Sequence, residues 1–158
     1  MMTAPTAIVA VANAFYTAQN GVSVHVRELA RGSKGPRARV SYRLNGHDTV
    51  AEFTLGDHLV NAHSVRLISF LGEAHPIVML IGCCGGHDLY LSPTFIRLVS
   101  GSLQQIPVRR ASHAPAGLKP VFSWDLHLQQ TGEHRREQYY ASRTSAGPMV
   151  LWVETQLH

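Results

Sequence analysis

The stretch RARVSYRLNGHDTVAEFTL, residues 37–55, decides the fold that this sequence predicts. Asn45-Gly46 lies at its centre, and this dipeptide is the strongest short hairpin signal because a type I′ turn needs positive φ at both central positions. Polar and apolar residues alternate on both sides of the turn, which is the pattern of strands with one buried face. The stretch therefore predicts a β-hairpin.

A two-residue turn at Asn45-Gly46 also predicts the register of the hairpin. The predicted pairs are Leu44 with His47, Arg43 with Asp48, Tyr42 with Thr49, Val40 with Ala51, and Arg39 with Glu52. The apolar residues then share one face, namely Ala38, Val40, Tyr42, Leu44, Ala51, Phe53 and Leu55. A slip of one residue would mix the apolar and polar sets, so the pattern specifies this register strongly.

The segment before the hairpin predicts one helix and one strand. Residues 6–19 have apolar side chains at helical spacing, Thr6 is a suitable N-cap, and Asn20-Gly21 is typical of a helix end. From Val22 the period changes to two, with valines on one side and polar residues on the other, which predicts a strand.

The remaining chain predicts further strands. The apolar runs 63–71 and 76–83 resemble strands that are buried on both faces. Residues 92–101 suit either a short helix or a strand, and the sequence leaves that choice open. Residues 121–129, 133–143 and 148–156 predict a meander with turns between them.

These elements together predict an α+β fold that is mostly antiparallel β. An N-terminal helix is followed by eight or nine strands that form a sandwich or a curled barrel. The chain of 158 residues is expected to be a single domain. Its predicted parts are a helix over about 6–19, a β-rich core over about 22–100, a surface connection over 101–120 and a C-terminal β-meander over 121–156.

Composition indicates a globular protein of the cytoplasm. Apolar residues make up 45% of the chain and charged residues 15%, which excludes a disordered chain. The sequence contains no apolar run of the length that crosses a membrane, and no Lys or Arg precedes Arg27, so neither a membrane span nor a signal peptide is predicted. The two adjacent cysteines do not make a disulfide framework and indicate a reducing compartment.

A thiol site is one hypothesis for function. If Gly85-Gly86 forms a hairpin turn, Cys84 lies opposite His87, and an imidazole beside a thiol can activate it as a nucleophile. Cys83 is the alternative nucleophile. The competing interpretation is an ordinary hairpin whose cysteines pack as small apolar residues, and it is favoured because cysteine is among the most buried residue types.

The segment Leu80-Ile81-Gly82-Cys83 resembles the Leu-x-Gly-Cys motif of the glutamine-deamidating toxins of the cytotoxic necrotizing factor type. The resemblance covers four residues and implies a Cys-His dyad that acts on glutamine. In those toxins the histidine follows about a dozen or more residues later, whereas the corresponding window here, 95–98, contains none. Membership of the family is therefore not inferred.

The basic stretch 26–43 is the second candidate surface. Its proposed partner-binding residues are Arg31, Lys34, Arg37, Arg39 and Arg43. Such a patch suits an acidic protein, with nucleic acid as the alternative partner, although no nucleic-acid recognition motif is present. The ten histidines lack the spacing of metal ligands, so neither a metal nor another cofactor is expected.

These observations predict a small accessory, inhibitor or immunity-like protein of bacterial or phage origin. It would act by protein–protein interaction through the Arg-rich face of the sheet rather than as an enzyme. The alternatives are a Cys-His thiol-dependent hydrolase or glutamine deamidase, and an RNA-binding or other nucleic-acid-binding module.

Overall fold

The computed structural model describes residues 14–29, 35–55, 59, 64–82, 93–110, 116–128, 132–143 and 148–157. Strands make up 74% of these residues and 1% are helical. The first six strands are β1 (Ala14–Gln19), β2 (Val22–Glu28), β3 (Arg37–Leu44), β4 (His47–Thr54), β5 (Val65–Ile68) and β6 (Ile77–Ile81). The next six are β7 (Pro93–Val99), β8 (Ser102–Ile106), β9 (Val108–Arg110), β10 (Pro120–Leu128), β11 (Glu133–Arg143) and β12 (Met149–Leu157).

The prediction of an α+β fold is wrong. The described part of the chain is nearly all β, and the second half of the predicted N-terminal helix is the strand β1. Residues 6–13 of that prediction lie outside the described residues. Asn20 and Gly21 have φ of 49° and 77°, so they form the turn between β1 and β2 rather than a helix end. The same dipeptide suits both roles, and pairing with β2 decides between them.

The strands form three four-stranded sheets. Sheet one has the order β1-β2-β3-β4, sheet two β5-β6-β7-β8, and sheet three β10-β11-β12-β9. In sheet three, β10 to β12 are antiparallel neighbours in chain order, which is the predicted meander, while β9 runs parallel to β12 at the edge.

The predicted hairpin is confirmed. All five predicted pairs between β3 and β4 occur, from Leu44 opposite His47 to Arg39 opposite Glu52. Ala38, Val40 and Tyr42 are completely buried on the inner face.

The structure decides one choice that the sequence left open and corrects one other prediction. Residues 92–101, which suited either a helix or a strand, contain β7. The stretch 101–120, predicted as a surface connection, contains β8 and β9.

The described residues form two compact units. The first contains the residues up to Leu67 together with His75–Gln105, and the second contains Ile68–Ala74 together with the residues from Ile106 onward. The prediction of a single domain is not tested by this division and stays a prediction. No helix among the described residues is long and apolar enough to cross a membrane.

The core of the first unit lies between sheets one and two. Sheet one contributes the valines of β2 and the apolar residues of β3, and sheet two contributes Val65, Val78, Leu80 and Ile96 to the same cluster. The Tyr42 hydroxyl donates a hydrogen bond of 2.8 Å to the carbonyl of Pro76, just before β6. The sheets are therefore packed face to face, and the other face of sheet one is directed outward.

Candidate functional site

The outward-directed face of sheet one, called the arginine face here, is the first candidate site. It carries Arg27 from β2 and Arg37, Arg39 and Arg43 from β3, all of them exposed. Alternation places them there, because successive side chains of a strand point to opposite sides and the valines and Tyr42 occupy the inner side. The same inner residues that build the core thus fix the positions of the arginines.

Cross-strand pairing lines up three charges in one row of the arginine face. Arg27 lies opposite Arg39, and Arg39 lies opposite Glu52. Arg39 Nη2 is 2.9 Å from Glu52 Oε2, and Arg37 Nη2 is 3.2 Å from Glu52 Oε1. One carboxylate therefore serves two guanidinium groups.

Arg27 has no ion-pair partner among the described residues, although it lies directly across from another arginine. Like charges placed directly opposite each other on a sheet are destabilising. The row thus contains a like-charge pair beside the ion pair of Arg39 with Glu52.

A second charged row lies beside the turns at the end of sheet one. Arg43 Nε is 3.2 Å from Asp48 Oδ1, and both side chains are more than half exposed. A pair this exposed contributes at most about 1 kcal/mol because water screens it. An open groove of about 430 Å³ lies next to it, lined by Ser23, Arg43 and the two Asn-Gly turns.

A row without arginine or carboxylate side chains crosses the middle of the arginine face. Tyr16 lies opposite His25, His25 opposite Ser41, and Ser41 opposite Val50. Tyr16 is 69% exposed and Val50 is 53% exposed, so the row presents an aromatic ring and an aliphatic side chain to the surroundings. The two side chains lie on the two edge strands of sheet one, at opposite ends of this row.

The structure places the predicted site residues as follows. Arg37, Arg39 and Arg43 lie together on the arginine face, as their alternation indicated. Arg31 and Lys34 lie outside the described residues. Cys83, Cys84 and His87 also lie outside them, so the thiol hypothesis stays a prediction. Tyr16 is not among the predicted site residues, because the sequence predicts a helix over residues 6–19. Arg27 is not among them either, although its alternation with the valines of β2 predicts its position on the polar face.

A second polar cluster lies in the second unit, around Glu137 on β11. Its side chain is 1% exposed, and its carboxylate accepts hydrogen bonds from Trp124 Nε1 at 2.9 Å, Tyr139 Oη at 2.9 Å and Arg110 Nη1 at 3.2 Å. Burial, followed by the charge of Glu137, raises the pKa of Tyr139. Buried carboxylates are tolerated when donors surround them, so this cluster is a structural feature that links β9, β10 and β11.

Similarity to known proteins gives no further information about the site. No protein-family model matches the chain, and no curated protein matches it significantly. The described residues contain no group of three or more His, Cys, Asp or Glu side chains that could hold a metal ion.

Proposed function

We propose that this chain is a small accessory or inhibitor-like binding protein, and that its arginine face binds an acidic protein. The proposal includes a cytoplasmic location and a bacterial or phage origin, for which cysteine usage and composition are the support. One observation carries the binding role: Arg27 lies opposite Arg39 without an acidic partner among the described residues. A carboxylate supplied by another protein would relieve that repulsion.

The arrangement of the arginine face suits a protein partner better than nucleic acid. Two carboxylates, Asp48 and Glu52, pair with three of the four arginines, so the face carries both signs of charge rather than the uniform positive charge that suits a phosphate backbone. The exposed Tyr16 and Val50 lie between the charged rows and offer apolar anchors of the kind that carry affinity in protein interfaces. Charged rows on both sides would steer the encounter.

Arg27→Glu tests the proposal, because this substitution should stabilise the fold and weaken the binding of an acidic partner. Glutamate opposite Arg39 replaces a like-charge pair with an opposite-charge pair, so the free energy of unfolding should rise by roughly 0.2–1 kcal/mol. Binding of an acidic partner should weaken by at least about tenfold, since a favourable charge becomes a repulsive one. Arg136→Gln in the second unit is the control that removes a positive charge elsewhere.

Binding is measured by placing the photo-cross-linker p-benzoylphenylalanine at position 16 and irradiating the protein in an extract of its own organism. The expected result is a discrete cross-linked acidic protein that is retained with Arg136→Gln and lost with Arg27→Glu. Cross-linking to RNA instead would support the nucleic-acid alternative and contradict this proposal. A pattern that Arg27→Glu leaves unchanged would also contradict it.

A further inference from the structure

The second unit contains a cleft of about 400 Å³ that lies apart from the Glu137 cluster. One wall is the segment Ile68–Ala74, and the other is formed by the start of β10, the end of β11 and the start of β12. Its volume lies within the range of small-molecule sites, which is roughly 300–1,000 Å³. All of its lining residues belong to the second unit.

The cleft has an apolar interior. Phe70 and Met149 are 3% and 4% exposed, and the partly buried Val121 lies between Pro120 and Phe122, where the register of β10 with β11 shifts. Such a bulge turns a side chain away from the regular alternation of the strand, and bulges of this kind are common beside binding sites. Leu71, at 66% exposure, forms an apolar rim.

More positive than negative charge borders the cleft. Arg143 forms an ion pair with Glu73, and the Arg143 side chain remains 49% exposed. Lys119 is exposed and has no ion-pair partner among the described residues. A guanidinium carries five N–H donors, so one carboxylate leaves some of them free to bind a second acceptor. Two cations and one carboxylate thus border an apolar hollow.

We infer that this cleft binds a small amphipathic carboxylate, with the carboxylate at Lys119 and Arg143 and the apolar part over Phe70, Val121 and Met149. A purely inorganic anion would make no use of the apolar lining, and an uncharged apolar molecule would make no use of Lys119, which lacks an ion-pair partner among the described residues. Two classes of molecule combine a carboxylate with an apolar part of this size, namely medium-chain fatty acids and arylalkyl carboxylates. Octanoate and 4-phenylbutyrate are the probes for these classes.

Isothermal titration of the full chain tests the inference. Octanoate or 4-phenylbutyrate should bind saturably, and octanamide, which keeps the chain but has no charge, should bind at least about tenfold more weakly. The tighter of the two carboxylates identifies the class. Equal binding of octanamide, tighter binding of octylamine, or the absence of saturable binding by both carboxylates would overturn the inference.

Variants locate the binding to the cleft. Lys119→Gln should raise the Kd about three- to tenfold, whereas Arg136→Gln, which removes the same charge from the other face of sheet three, should leave it unchanged. Ala141→Leu should block the cleft. If Ala141→Leu does not fold, Leu71→Ala is the second variant. Leu71 is exposed, so the fold should tolerate this substitution, and the loss of the apolar rim should weaken binding. Equal Kd values for Lys119→Gln and Arg136→Gln would refute the assignment.

Discussion

At the scale of single residues, burial rather than sequence neighbours sets the chemistry of the polar groups. Tyr16 and Tyr42 both lie on sheet one, yet Tyr16 is 69% exposed whereas Tyr42 is completely buried and bonded to the Pro76 carbonyl. Burial raises the pKa of Tyr42 to about 12. The two tyrosines therefore have different roles, one on a candidate binding surface and one in the core.

The raised pKa of Tyr42 predicts a loss of stability at alkaline pH. The unfolded chain releases this proton from about pH 10, whereas the folded chain keeps it until about pH 12. The contribution of Tyr42 to the free energy of unfolding should therefore be fully present below pH 10. It should fall between pH 10 and 12, by up to about 1.4 kcal/mol per pH unit.

Urea unfolding at several pH values checks this slope. Tyr42→Phe should lower stability at neutral pH by about 1 kcal/mol through the lost hydrogen bond, and it should flatten the alkaline slope. A slope that Tyr42→Phe does not change would contradict the assignment.

At the scale of elements, tertiary pairing overrides local pattern in β1. Residues 6–19 combine helical spacing with a helix-ending dipeptide, but Phe15 and Thr17 lie opposite Val26 and Val24 in the sheet. Phe15 packs against the core cluster from this position. Local propensity is a weak signal, and a strand partner that satisfies the backbone and buries an aromatic ring outweighs it.

Two substitutions at Ala18 distinguish strand from helix at β1. Ala18 is exposed, so packing contributes little, and the intrinsic preference of the backbone decides the outcome. In a strand, Ala18→Val should be more stable than Ala18→Leu by up to about 0.5 kcal/mol, because β-branched residues suit strands. In a helix, the order would be reversed. Urea unfolding of both variants measures the difference, and a more stable Ala18→Leu would contradict the strand.

At the scale of the whole molecule, the two units are interleaved along the chain. The chain leaves the first unit after Leu67, returns to it at His75 and leaves it again after Gln105. In the second unit, Phe70 stacks on Phe122 with ring centroids 6.3 Å apart and an interplanar angle of 20°. The short segment between β5 and β6 is therefore part of the packing of sheet three.

Phe70→Ala should destabilise the protein by about 3 kcal/mol, because it removes a buried ring and leaves a cavity. Its neighbour Leu71 is 66% exposed, so Leu71→Ala should cost less than about 0.5 kcal/mol. Urea unfolding compares the two variants, and amide hydrogen exchange in β10–β12 reports whether the second unit loosens. Equal costs would show that the segment does not stabilise sheet three.

The sequence by itself determined the hairpin of β3 and β4, its register and the arginines on its polar face. Asn45-Gly46 and strict alternation are local signals, and they leave one register that buries the apolar set. Only the tertiary structure decided that β1 is a strand, that Arg27 faces Arg39, and that Lys119 and Arg143 border one cleft. These facts depend on pairings between segments far apart in sequence, and the burial and hydrogen bonds that select such pairings are not encoded in any short window.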